Sequence, residues 1–141
     1  LQSSPYAMPL KVGDKLSDLS FGFDKGFGVA EIKDVRCKAK EKNRMVFTLK
    51  VGPEHMNALQ TMHGAFAMLL LDVLTTVTTM DLVMKPTVSV NMAGQYQGAA
   101  KLGEELVMDC RVEKAGKSLA YLSMTIKSGD KIVFTGQQTK M

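Results

Sequence analysis

Hydrophobic and polar residues alternate with a period of two over several stretches of the chain, the pattern typical of β-strands covered on one face. The strand-like stretches are residues 29–40, 47–51, 87–92, 105–112, 118–127 and 131–138. The short polar connections at 114–117 and 128–131 predict tight hairpins. Strands joined in this way pair antiparallel, because parallel strands need a long crossover connection.

One long helix is predicted between these strands, from His63 to about Leu82, with a length near 30 Å. Its middle, residues 66–71, is apolar nearly all round, so we expect a sheet to cover one side and a second subunit the other. A membrane span needs about 20 apolar residues. Because Asp72 interrupts the apolar run that begins at Ala65, we interpret the segment as a buried helix and predict no membrane span.

These elements predict an α+β fold, in which a curved antiparallel sheet wraps around one long central helix. The length of 141 residues suits a single domain, which we place at residues 29–141. Residues 1–28 are rich in Gly, Ser, Pro and Asp, and we interpret them as a lead-in that is loosely ordered or forms a short helix near Asp14–Leu19. A chain this short has little room for a deep pocket of its own, which favours a pocket shared between subunits.

Charge and composition exclude several classes of protein. The net charge of +4 is spread along the chain and aromatic residues make up 6%, so the basic stripe of a nucleic-acid binder is missing. Cys37 and Cys110 form no CxxC motif, and His55 and His63 lack further ligands at metal-binding spacing, so we expect no metal site and no cofactor. We expect no secretory signal, and a cytoplasmic location.

Asp72 is the first candidate for chemistry, since it lies within an apolar stretch where an unpaired carboxylate would cost several kcal/mol. Two interpretations remain open from the residues alone. The side chain is either an acid hydrogen-bonded to a neighbouring element, or a general base or nucleophile in an apolar cleft.

The start of the helix offers a second candidate. Gly64 would expose a backbone N–H at the positive end of the helix dipole, the geometry of an oxyanion hole, and Asn57 could donate to the same oxygen. Alternatively, Gly64 only eases entry to the helix and Asn57 is an ordinary turn residue. Gly64 and Asp72 lie about 12 Å apart along one helix, so they can act together only if two antiparallel helices meet across a two-fold axis.

The chain resembles the hotdog-fold acyl-CoA thioesterases, and most of all the thioesterase superfamily member two type, related to bacterial phenylacetyl-CoA thioesterases. The resemblance covers residues 30–140. It rests on Asn57 before His63-Gly64-Ala65, Asp72 on the same helix, and three downstream segments. These segments are Val88–Asn91, Ala100–Glu104 and Lys114–Ala120.

The resemblance implies a hotdog fold, homodimers paired into a homotetramer, and hydrolysis of acyl-CoA to fatty acid and CoA, with a role in fatty acid and lipid metabolism. Gly64 and Asn57 would polarise the thioester carbonyl, Asp72 of the facing subunit would activate water or attack, and Ser89 would orient the water. His63, Ala65 and Met68 would line the substrate pocket. CoA would be bound by Tyr96, Gln97, Lys101, Lys114, Ala115, Gly116, Lys117, Ser118 and Leu119. The resemblance also allows a mitochondrial location.

Two departures and two alternatives complete the sequence interpretation. Ala65 replaces the second glycine of the family motif, which would narrow the space near the thioester, and Asn91 stands where relatives often carry Asp. A hotdog hydratase or dehydratase is the alternative enzyme, although such enzymes rely on a His paired with a carboxylate. A non-catalytic acyl-CoA or lipid-binding module is the other alternative, although it would not need the buried acid Asp72.

Overall fold

The computed structural model describes residues 10–19 and 25–141. The helices and strands are α1 (Val29–Ile32), β1 (Arg36–Glu41), β2 (Arg44–Lys50), α2 (Gly64–Val83), β3 (Ser89–Tyr96), β4 (Glu105–Ala115), β5 (Ala120–Ser128) and β6 (Lys131–Lys140). Short 3-10 turns lie at Leu16–Asp18 and Pro53–His55.

All six strands form one antiparallel sheet in the order β1-β2-β4-β5-β6-β3. β3, which follows α2 in the chain, pairs with β6. It forms the edge of the sheet opposite to β1. The sheet curves around α2, which packs across its inner face. This architecture confirms the predicted α+β hotdog fold, and α2 begins and ends within one residue of the predicted helix.

The core lies between α2 and the inner face of the sheet. From the helix it takes Leu70, Leu71, Leu74 and Val77, all fully buried. From the sheet it takes Phe47, Leu106, Met108, Cys110, Met124, Ile126 and Phe134. Alternate strand residues supply these side chains, as a sheet with one covered face requires. One stripe of α2 stays exposed or half-buried in the single chain, formed by Ala65, Met68, Leu69, Asp72, Val73 and Thr76.

The long helix α2 passes a length and composition test for a membrane span, and among residues 10–19 and 25–141 it is the single helix that does so. More than half of its most apolar window, 56%, is buried inside the fold. The sheet wraps around it, so α2 is a core helix, in agreement with the interpretation of the sequence.

The strand predicted at residues 29–40 is only partly present. Residues Val29–Ile32 form one turn of helix, and the strand starts at Arg36. Gly28 precedes the turn with φ of 78°, a left-handed conformation that glycine adopts readily. Within this turn Ile32 is the buried residue, and its carbonyl accepts a hydrogen bond from Val35 N, so Ile32 reaches the core from a turn rather than from a strand.

The strand predicted at residues 87–92 differs in its covered face. Val88 and Val90 are 60% and 55% exposed in the single chain. A bulge between Ser89 and Asn91 interrupts the pairing with β6, and such bulges re-aim side chains. As a result Ser89, rather than its valine neighbours, points towards α2.

The lead-in lies partly outside the described residues, since 1–9 and 20–24 are not described. Within residues 10–19, Leu10, Leu16 and Leu19 are buried in the same core as α2, and the 3-10 turn Leu16–Asp18 falls inside the predicted short helix. Leu16 N donates to Val35 O and Gly13 N to Cys37 O. This part of the lead-in therefore packs on the domain, and the domain boundary at residue 29 stays a prediction.

Candidate active site

Asp72 lies in the middle of α2, on the half-buried stripe, and is hydrogen-bonded to two other elements. Gln138 Nε2 on β6 donates to Asp72 Oδ1 at 2.9 Å, and Ser89 Oγ on β3 donates to the same oxygen at 3.3 Å. The structure therefore brings Asp72 and Ser89 together within one chain, and their catalytic roles stay a prediction. The first of the two interpretations of Asp72, an acid hydrogen-bonded to a neighbouring element, describes this geometry, since β3 and β6 both donate to the carboxylate.

The same cluster contains side chains that the sequence interpretation missed. Gln138 Nε2 donates to Ser89 Oγ at 2.6 Å and Lys140 Nζ donates to it at 3.2 Å. Thr75 Oγ1 donates to Gln138 Oε1 at 2.6 Å. A signal was present in the sequence, because Phe134, Gly136, Gln138 and Lys140 occupy alternate positions of one strand, so two polar residues share a face with core residues.

Lys140 is 3% exposed, which is unusual for a lysine. Burial lowers the pKa of its ammonium group below the ordinary value, and the negative charge of Asp72 partly offsets this effect. The hydrogen bond to Ser89 and the nearby carboxylate compensate the buried charge. The cluster therefore holds the carboxylate of Asp72 and the ammonium group of Lys140, both hydrogen-bonded to Ser89, on the inner face of the sheet.

Gly64 is the first residue of α2, and His63 caps the helix. His63 Nδ1 accepts a hydrogen bond from Ala65 N at 3.0 Å, and His63 O accepts from Phe66 N and Ala67 N. The Gly64 N–H precedes these bonds, so the helix itself gives it no acceptor. Tyr96 Oη donates to Gly64 O at 2.9 Å, which fixes the peptide. A Cβ at this position would lie 3.2 Å from the Tyr96 ring.

Asn57 closes the loop that leads to the helix. Its Oδ1 accepts from Leu59 N at 2.9 Å and from Thr61 N at 3.1 Å, and its Nδ2 donates to Thr61 Oγ1 at 3.0 Å. The side chain of Asn57 therefore stabilises the turn before α2, which is the alternative role that the sequence offered for this residue. One Nδ2 hydrogen remains beyond the bond to Thr61.

The predicted pocket residues lie beside Gly64. His63 and Ala65 are exposed, and Met68 is half-buried on the stripe of α2. Met68 packs towards Gly94, since a Cβ there would lie 3.1 Å from the Met68 sulfur. A substrate near the Gly64 amide would thus meet Ala65 and Met68 on the same helix face.

The residues predicted to bind CoA fall into two groups at opposite ends of α2. Tyr96 contacts the peptide of Gly64 at the start of the helix, and Gln97 and Lys101 follow it in the chain. The hairpin formed by residues 115–119, in which Gly116 N donates to Leu119 O at 2.8 Å, instead lines a small cleft near the end of the helix. Thr79, Val83, Lys117 and Lys140 share that cleft.

Within a single chain, Gly64 and Asp72, the two halves of the predicted site, lie apart. Gly64 and Asp72 are eight residues apart on one helix, about 12 Å. The two groups of CoA-binding candidates are likewise separated, one near the start of α2 and one near its end. Within residues 10–19 and 25–141, no group of three or more His, Cys, Asp or Glu side chains could hold a metal ion.

Comparison with known proteins shows the family to which the chain belongs. The sequence model of the Thioesterase superfamily matches residues 59–135. The chain is 36% identical over 122 residues to acyl-coenzyme A thioesterase 13 of Mus musculus, with 84% of each chain covered. It is 38% identical over 103 residues to the protein of that name from Homo sapiens, covering 69% of this chain and 71% of the relative.

Solved structures agree. Thioesterase superfamily member 2 of Mus musculus superposes with a TM-score of 0.77 at 31% identity, covering 89% of this chain and 90% of the other. The zebra fish protein of the same name superposes with a TM-score of 0.78 at 29% identity, covering 89% and 88%. The chain belongs to the thioesterase superfamily, which confirms the predicted family, fold and enzyme class.

Proposed function

We propose that the protein hydrolyses acyl-CoA thioesters, with medium to long acyl chains, to a free fatty acid and CoA. One observation carries the proposal: a carboxylate, Asp72, is held by Ser89 and Gln138 on the one stripe of α2 that the sheet leaves open. The names of the relatives that cover most of the chain support the substrate class.

The thioester carbonyl would be polarised at the start of α2. There the Gly64 N–H has no acceptor within the helix and lies at the positive end of the helix dipole. As the carbonyl carbon becomes tetrahedral, negative charge collects on its oxygen, and a fixed amide donor stabilises that charge more than the ground state. The second Nδ2 hydrogen of Asn57 would donate to the same oxygen.

Asp72 would act as the general base. It takes a proton from a water molecule as the water oxygen forms a bond to the carbonyl carbon. The tetrahedral intermediate then collapses, the C–S bond breaks, and the thiolate of CoA receives that proton. Water and thioester are thereby converted to a carboxylic acid and a thiol. Ser89, hydrogen-bonded to Asp72, would hold the water in line with the carbonyl.

The site would be assembled from two chains. The half-buried stripe of α2 contains Met68, Leu69 and Val73, apolar side chains that a second helix would cover. The edge strand β3 reaches this stripe through the contact of Ser89 with Asp72, and the outer edge of β3 pairs with no strand among the described residues. Two chains packed antiparallel about these features would bring each Asp72 towards the other chain's Gly64.

CoA would then lie along the seam between the chains. The Tyr96, Gln97 and Lys101 group of one chain would meet the 114–119 hairpin of the other, so that the two groups form one binding surface. Lys101, Lys114 and Lys117 are exposed and would bind the phosphates of CoA, assisted by backbone amides at the Ala115-Gly116 turn. Pairing of such dimers would give a tetramer.

Release of free thiol from acyl-CoA substrates of increasing chain length tests the proposal. We expect turnover that rises towards medium and long chains and depends on Asp72. Light scattering of the purified protein should give the mass of a dimer or tetramer. Loss of the conjugated absorbance of an enoyl-CoA without thiol release would favour a hydratase, and tight acyl-CoA binding without any thiol release would favour a binding module.

A further inference from the structure

The inner face of the sheet carries a buried carboxamide that the proposed reaction does not use. Gln138 on β6 is 1% exposed and Thr75 on α2 is fully buried. Both lie among core side chains, where a polar group is costly unless its hydrogen bonds are made. The hydrogen bonds of Gln138 are directed to Thr75, Asp72 and Ser89. The cost of burying the carboxamide in the core is therefore offset by hydrogen bonds to residues of the candidate active site.

The direction of each hydrogen bond follows from the chemistry of the groups. An ionised carboxylate only accepts, so the Gln138 edge at 2.9 Å from Asp72 Oδ1 is its NH₂ group. The carboxamide oxygen then faces Thr75 Oγ1, which donates to it at 2.6 Å. The same hydroxyl lies 2.6 Å from Leu71 O, so its one hydrogen is shared between the two acceptors. Thr75 in this way holds the carboxamide with both amide hydrogens towards Asp72 and Ser89.

The position of the Ser89 proton is determined in the same way. Ser89 Oγ accepts from Gln138 Nε2 at 2.6 Å and from Lys140 Nζ at 3.2 Å. These two donors occupy both lone pairs of the hydroxyl oxygen. The hydroxyl hydrogen is left for Asp72 Oδ1, at 3.3 Å.

Both hydrogen bonds to the Asp72 carboxylate thus end on one oxygen. Gln138 and Ser89 donate to Oδ1, and within the described part of the chain no hydrogen bond is made to Oδ2. Held in this way, the carboxylate presents Oδ2 with its lone pairs unoccupied. A base that is to take a proton from water needs such an oxygen in a fixed direction.

We propose that Gln138, held by Thr75, is a positioning residue that turns the Asp72 carboxylate so that Oδ2 faces the reacting water. The proposal rests on the proposed thioesterase function. Loss of the Thr75 hydroxyl would free the carboxamide to rotate and leave its oxygen buried without a donor. Loss of the Gln138 amide would remove one of the two hydrogen bonds that fix Asp72 Oδ1.

The test compares Thr75→Val, Thr75→Ser and Gln138→Leu with Thr78→Val as the matched control. Valine has the shape of threonine without the hydroxyl, and serine keeps the hydroxyl. Thr78 is also buried on α2, and its hydroxyl donates to Leu74 O as that of Thr75 does to Leu71 O. Among the described residues the bond to Gln138 is made by Thr75 and not by Thr78. Thiol release at a series of acyl-CoA concentrations gives kcat and KM separately.

We expect Thr75→Val and Gln138→Leu to lower kcat at least tenfold, of the order expected for a misaligned base, with KM changed less than twofold. Thr75→Ser and Thr78→Val should stay within about threefold of wild type, as no catalytic alignment is lost.

Wild-type hydrolysis with an unchanged kcat in folded Thr75→Val and Gln138→Leu would overturn the positioning role. Equal losses in Thr75→Val and Thr78→Val would also overturn it, since they would show a general packing effect. Absence of any wild-type thiol release would instead refute the proposed function, so the two failures are distinguishable. Thermal unfolding of each variant separates folding defects from loss of alignment.

Discussion

Ser89 donates its hydroxyl to the Asp72 carboxylate at 3.3 Å, although the two residues are 17 positions apart and belong to β3 and α2. The bulge in β3 allows this contact, because it directs the side chain of Ser89, rather than that of Val88 or Val90, towards the helix. An edge strand of the sheet therefore supplies part of the site, on the same side as the open stripe of α2.

Replacement of Asp72 by Asn removes the base and keeps the size of the side chain. We expect kcat for acyl-CoA hydrolysis to fall by a factor of about 100 or more, as is typical for loss of a general base. The melting temperature and the oligomer mass should stay close to wild type, and both serve as controls. Turnover near that of wild type would rule out Asp72 as base or nucleophile.

Gly64→Ala probes the backbone amide at the start of α2. The new methyl group would lie 3.2 Å from the Tyr96 ring, so the ring or the helix start must shift and the approach to the amide narrows. We expect kcat to fall by about tenfold to a hundredfold, which is at or below the lower end of the range for complete loss of an oxyanion donor, because the amide itself is retained. Ala65→Gly, one residue along, is the control and should keep kcat; equal activity of both variants would argue against the Gly64 amide.

Gly94→Ala tests the packing of β3 against β6. Gly94 pairs with Gly136 across the two strands, and a Cβ at Gly94 would overlap the Phe134 ring at Cζ, well inside van der Waals contact. We expect the free energy of unfolding to fall by about 1–3 kcal/mol, the usual cost of overpacking. Urea unfolding measures it, with Ala93→Ser on the opposite face of β3 as control. An unchanged unfolding midpoint would show that Phe134 can move aside freely.

The buried lysine gives a pH dependence with a defined sign. Burial lowers the pKa of Lys140 below 10.5, against the opposing effect of Asp72. Between the lowered value and 10.5 the unfolded chain therefore binds more protons than the folded chain, so this group makes stability rise with pH. We expect wild type to gain stability relative to Lys140→Met between pH 7 and pH 10, by urea unfolding at each pH. A wild-type stability that stays constant or falls relative to Lys140→Met over this pH range would contradict the lowered pKa.

The parts of the fold set by local patterns were predictable. The all-apolar middle of α2 and the alternation along β4, β5 and β6 depend on neighbouring residues, and those elements agree with the prediction. The turn at Val29–Ile32 was not predicted, because a short apolar run has the same composition as a strand. Its conformation depends on Gly28 and on contacts with the core.

The candidate site divides in the same way. Gly64 and Asp72 are visible in the sequence because a glycine at a helix start and a carboxylate in an apolar run are both unusual locally. Gln138 and Lys140 were missed because their role depends on register. Ser89 faces Lys140 only when β3 pairs with β6, a contact between strands that the chain separates by two others.

Mixing two inactive variants tests most directly whether each site is built from two chains. Asp72→Asn and Gly64→Val are each inactive in this account, one lacking the base and the other an accessible amide. If they are unfolded and refolded together in equal amounts, half of the dimers are mixed, and each mixed dimer carries one site with both residues intact. Activity should then return to about a quarter of the wild-type level. No activity above that of the separate variants, with mixed dimers shown to form, would contradict the shared site.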